Sequence, residues 1–209
     1  MNLKRTDVLM IVAVVTVLLL LGLTAMRQLQ LNRATAARIS CVGNLKQVGL
    51  SFRIWANDHG DLYPMSRDLD DPTLRSEVLG GRMFRVFQLL SNELSVPKTI
   101  SCPTDNRWAW VEWGALANTN ISYLLGVDAA DDKPNTILSG DRNIALEGRL
   151  LSGVVALGTN SQATWTREMH DRTGNIALAD GSVQQVIPSL LHQQLKYSGD
   201  ATNLLVFPQ

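Results

Sequence analysis

Few side chains in this 209-residue chain have the type and spacing to do chemistry. His170 precedes Asp180 with nine residues between them, and a histidine–carboxylate pair can serve as a general base or hold a metal ion. Gly181 follows Asp180, however, and Asp-Gly between two β-rich runs is turn chemistry, so structural roles explain both residues more simply. His59, His170 and His192 show no ligand-like clustering. Asp128, Asp131, Asp132 and Asp141 could converge around a loop and offer hard oxygens to calcium. They lack the alternating spacing of an EF-hand loop and read as a solvated acidic segment. Cys41 and Cys102 match no zinc spacing. They form either one disulfide across a long loop, in a domain outside the cytoplasm, or two reduced and partly buried thiols. Trp55, Trp108, Trp110, Trp113 and Trp165 invite a carbohydrate surface; Trp108 and Trp110 alternate as in a strand, which favours packing. With no Gly-rich phosphate loop, nucleophile elbow or HExxH, the expectation is a protein that is not an enzyme, with no catalytic residue, cofactor or metal.

The elements that must carry these residues start with an apolar run. Between Asp7 and Arg27 there is no charged side chain, and Val8 to Met26 is apolar apart from Thr16 and Thr24. About 20 such residues span the hydrocarbon core as a helix. A cleavable signal is shorter and ends in a small-x-small site, which Leu23-Thr24-Ala25 matches poorly. The run is apolar on every face, unlike an amphipathic core helix. An uncleaved anchor is the favoured reading, with Lys4 and Arg5 placing the short N-terminus in the cytoplasm. Arg27, Arg33 and Arg38 on the far side pull against that orientation. Zero formal net charge argues against a nucleic-acid partner; the expected partner is the lipid bilayer.

No proline follows until Pro64, and Leu31, Ala34, Cys41 or Val42, Leu45, Val48, Phe52 and Trp55 recur at spacings of mostly three and four. One helix of about 75 Å from Val8 to Asn57 is predicted, capped by Gly60. Beyond it, Ser76 to Leu94 reads as a second helix, with Gly80-Gly81 weakening its start. Short strands are predicted at 121–126, 143–146, 151–157 and 163–169. A hairpin follows at 175–179 and 182–186, turning in type I′ geometry at Asp180-Gly181, and then a helix at 189–196. The fold class is therefore α+β: a long transmembrane-plus-stem helix packed on a small antiparallel sheet. The organisation is 1–7 cytoplasmic, 8–26 transmembrane, 27–57 amphipathic stem and 58–209 extracytoplasmic head.

The chain resembles the type IV pilin and type II secretion pseudopilin superfamily. The likeness is narrower to a bacterial subgroup with a prepilin-type N-terminus and a C-terminal His-x9-Asp-Gly element, which His170, Asp180 and Gly181 match. Cys41-Val42-Gly43-Asn44-Leu45-Lys46-Gln47 is similar to the subgroup's Cys-x2-Asn-Leu-Lys-Gln segment, and Leu62-Tyr63-Pro64 and Cys102-Pro103-Thr104-Asp105 resemble it too. The resemblance implies a single-pass subunit in the inner (cytoplasmic) membrane, its C-terminal domain periplasmic. Its partners would be other pilin-like subunits or secretion-system membrane components. Asp7 falls on the family's assembly carboxylate, which pairs with a neighbouring subunit's terminal amine; alternatively it sits at the interface with Lys4 and Arg5. Asn2-Leu3 stands where the family has its Gly-Phe processing site, so an unprocessed anchor is expected. The alternatives are a solitary anchored binding domain and, more remotely, an anchored hydrolase.

Overall fold

The computed structural model describes residues 4–69, 72–107 and 111–209, without the side chain of Asp7. Trp108 and Trp110 lie outside the described residues, and so does residue 1–3 of the expected cytoplasmic segment. Helix α1 runs from Arg5 to Asn57 without interruption. The chain divides into two compact units, one up to Ala37 and one from Arg38 to Gln209.

In the first unit every described side chain from Val8 to Leu31 is exposed, and the large apolar residues Leu18 to Leu21 are each about 60% accessible. Thr16 donates back to the carbonyls of Val12 and Ala13, and Thr24 to that of Leu21, so neither hydroxyl is left without a partner. Within Val8–Asn57 lies a window of mean hydropathy 2.9, and α1 is long and apolar enough to cross a membrane.

The second unit opens with the remainder of α1. Cys41, Leu45, Val48, Phe52 and Trp55 fall on one face and are buried, whereas Lys46 and Arg53 on the opposite side are exposed. Asp61 N donates to Ala56 O across Gly60, whose φ of +65° closes the helix as expected of a left-handed cap. The second predicted helix is three short ones: α2 (Thr73–Leu79), α3 (Phe84–Leu89) and α4 (Ser91–Leu94). Gly81, at φ +90°, breaks the first junction.

A six-stranded antiparallel sheet follows, in the order β5 (Gly153–Gly158), β9 (Thr202–Phe207), β1 (Tyr123–Gly126), β2 (Ile137–Asp141), β7 (Gly174–Leu178) and β8 (Val183–Val186). A smaller sheet has the order β4 (Arg149–Leu150), β3 (Ile144–Leu146), β6 (Ala163–Trp165). The C-terminal helix is α5 (Pro188–Tyr197). Both faces of the large sheet are covered. Tyr123, Leu125, Ala177 and Val206 join the core built on α1, while Leu124, Ile176, Leu178, Leu205 and Phe207 join a second core with Trp165, Leu191 and Leu195. The architecture is α+β, and the packing of 38–57 of α1 against an antiparallel sheet is compatible with a pilin-like fold.

The β7–β8 hairpin differs from its expected type I′ turn. Ala177 pairs with Val183, Leu178 N donates to Ser182 O and Gly181 N to Leu178 O, leaving a three-residue loop. Gly181 alone in that loop takes positive φ (+84°), which is the turn-plus-bulge solution. The tip also closes on α1: a Cβ on Gly49 would lie 3.4 Å from the Gly181 Cα.

Candidate functional site

The chemically richest place in the head is buried between α1 and the large sheet. Cys41 enters from α1. Cys102 follows the 3₁₀ turn Pro97–Ile100, Asp141 ends β2, and His170 sits in the loop between β6 and β7. Asn44 and Gln47 continue the Cys41 side of α1 at steps of three residues. Asn44 Nδ2 donates to Ser101 O at 2.9 Å, and Thr99 Oγ1 to Gln47 Oε1 at 3.4 Å, fastening the 99–101 segment to the helix. Cys41 and Cys102 are joined there as a disulfide spanning 61 positions. Leu45 is core while Lys46 and Gln47 are exposed, so the Asn44–Gln47 motif is a clamp with one apolar member and two at the surface.

Against the disulfide lies His170. Its Nε2 is 3.5 Å from Cys102 Sγ and 3.4 Å from Asp141 Oδ2, and its Nδ1 is 3.4 Å from Thr104 Oγ1. Arg38 and Thr173 both donate to its carbonyl. Met169, Asp171 and Arg172 have positive φ although none is glycine, so the loop holds His170 at a backbone cost of about 1–3 kcal/mol per strained residue. Asp141 Oδ2 accepts from both the backbone N and the Nδ2 of Asn175, at 2.7 and 2.9 Å. Its Oδ1, with Asn175 Oδ1, is buried without a hydrogen-bond partner among the described residues.

Burial dominates the electrostatics. It pushes the Asp141 carboxyl up to about 7, against the two Asn175 hydrogen bonds that favour the carboxylate, and draws the His170 imidazole down to about 4, helped by Arg38. Tyr123, opposite Asp141 across β1 and β2, is also pushed up by burial. Beside them Arg142 makes a two-toothed pair with Asp105 at 2.8 and 2.9 Å, both side chains being under 10% exposed.

Asp180, the carboxylate weighed as a partner for His170, lies elsewhere. Asp180 is exposed at the hairpin tip, where its Oδ1 accepts from Ser182 N and its carbonyl from Arg53. The two do not form a general-base or metal pair; Asp180 and Gly181 are turn residues seated on α1. The four loop acids do not converge either. Asp128 pairs with Arg75 at 2.6 Å and Asp131 with Arg53 at 3.6 Å, while Asp141 belongs to the buried cluster. A cavity of about 420 Å³ lined by Asp68, Asp128, Asp132 and Asp200 also holds Arg67, Arg75 and Lys133, so cations sit among the carboxylates. Sequence reasoning missed Asp141, Arg142 and Asn175 as one cluster. The signal available was the polar run Asp141-Arg142-Asn143, two residues after the apolar pair Ile137-Leu138.

No family model matches the chain, and no curated protein or solved structure matches it. Asp7 is helical in backbone, and its side chain lies outside the described residues.

Proposed function

We propose that this chain is a membrane-anchored, pilin-like structural subunit of a type II secretion or type IV pilus-type assembly. The observation that carries the reading is α1. One uninterrupted helix offers an all-round apolar segment, Val8 to Met26, and then supplies Cys41, Leu45, Val48 and Phe52 to the core of an α+β domain. Hydrocarbon has no appetite for burying one apolar helix against another, so association among such spans rests on close van der Waals contact at small or weakly polar positions. Ala13, Thr16 and Gly22 supply them. Lys4 and Arg5 orient the N-terminus inward, and the Cys41–Cys102 disulfide suits an oxidising, extracytoplasmic compartment for the head.

Single cysteine replacements along Val8 to Met26, in membranes, test this. Cross-links between subunits at a helical periodicity are expected. Uniformly absent cross-links, with monomeric extraction, would instead leave a solitary anchored display domain. That rival draws on a cleft of about 650 Å³ lined by Trp55, Pro64, Leu69, Leu74 and Leu89.

A further inference from the structure

Three segments far apart in the chain deliver sulfur and nitrogen donor atoms to one buried point. Ligating atoms of Cys41, Cys102 and His170 lie within 4.8 Å of one another, and all three residues are buried. Tetrahedral zinc, with bonds of about 2.3 Å to sulfur and about 2.0 Å to nitrogen, has N···S edges of about 3.5 Å and an S···S edge of about 3.8 Å, which the two sulfurs reach only once their bond is broken. His170 Nε2 stands 3.5 Å from Cys102 Sγ and 3.4 Å from Asp141 Oδ2. The surroundings have the form of an outer coordination shell. Thr104 Oγ1 approaches the other ring nitrogen of His170 at 3.4 Å, and Asn175 holds the Asp141 carboxylate through two donors. Two further buried oxygens, Asp141 Oδ1 and Asn175 Oδ1, are acceptors to which none of the described residues donates.

We propose that this point is a redox-exclusive zinc site, holding either the Cys41–Cys102 disulfide or one zinc ion bound by Cys41, Cys102 and His170 Nε2, with the Asp141 carboxyl alongside that nitrogen. An external dithiol supplies two electrons and two protons. The S–S bond breaks, the reductant departs as its own disulfide, and two thiols remain. Coordination then replaces the two thiol protons, which leave to solvent, and the zinc charge is balanced by two thiolates. The disulfide form offers no thiolate and so no soft ligand. Neither cysteine has a second cysteine or a histidine nearby in sequence, so the site exists only through the fold.

The test uses the full chain in detergent, reduced by a phosphine that is then removed without air, and titrated with cobalt(II) as the probe. One cobalt per chain is expected, with the visible bands of tetrahedral cobalt, a thiolate charge-transfer band, and displacement by zinc. The oxidised chain should show neither band. His170→Ala should weaken cobalt binding by about tenfold or more. Circular dichroism checks that each variant is folded, and His170→Gln serves where the alanine variant is not. Bound zinc should also protect both thiols from alkylation in the parent and not in the His170 variant. A reduced, folded chain that takes up no cobalt overturns the proposal. So does a His170 variant that binds as tightly as the parent, or a reduced chain that unfolds in excess zinc.

Discussion

Two stretches of one helix are apolar for opposite reasons. From Val8 to Met26 the apolar residues occur at every angle around the axis and all are exposed. From Arg38 to Asn57 the buried ones keep to one face, spaced three and four apart, and reach zero exposure at Cys41, Leu45, Val48 and Phe52, while Ile39, Leu50 and Ile54 stay exposed on the other side. The first pattern satisfies a solvent that is apolar all round, and the second satisfies a core on one side and water on the other. The charges follow suit. Lys46 and Arg53 are tolerated on the second stretch because one face is polar, while the first stretch has none.

Phe52→Ala gives the largest contrast between the two. Removing that fully buried ring should cost about 3–5 kcal/mol in chemical denaturation of the head, whereas Leu19→Ala should leave that transition within about 0.5 kcal/mol. A shift of the head's midpoint by Leu19→Ala would break the comparison. Leu19→Arg should do the reverse, adding about 3 kcal/mol to membrane insertion and leaving the folded head intact; alkaline extraction of membranes reads the difference. Within the head, Asn175→Ala strips one hydrogen bond from the buried Asp141 carboxyl and should cost about 1–3 kcal/mol, seen in thermal unfolding. The smallest effect is expected at Thr16→Val. The Thr16 hydroxyl bonds only to its own helix, so insertion and head stability should each change by less than about 0.5 kcal/mol.

Legibility followed the same division. α1 was readable because its hydrophobic period is long and unbroken, and α5 because Pro188 starts a short amphipathic turn sequence. β2 and β9, at the interior of the large sheet, were not foreseen. Being covered on both faces, they lack the alternation that marks a half-buried strand, and Ser139-Gly140-Asp141 looks like loop chemistry. The polar cluster failed to show for a related reason. Asp141 counted as one more loop acid until β2 carried it inward, and His170 pointed along the sequence to Asp180 while its spatial neighbours are Cys102, Thr104 and Asp141.

The sequence by itself determined the membrane-length apolar run, the stem face and the α+β class, since each is a local pattern of side-chain type against backbone period. Tertiary structure alone decided which acid meets His170, and it brought Cys41 to Cys102 although sixty-one positions separate them. Pairings of that kind depend on sheet register and on which face of a helix meets the sheet, and neither is written in the spacing of the residues that finally touch.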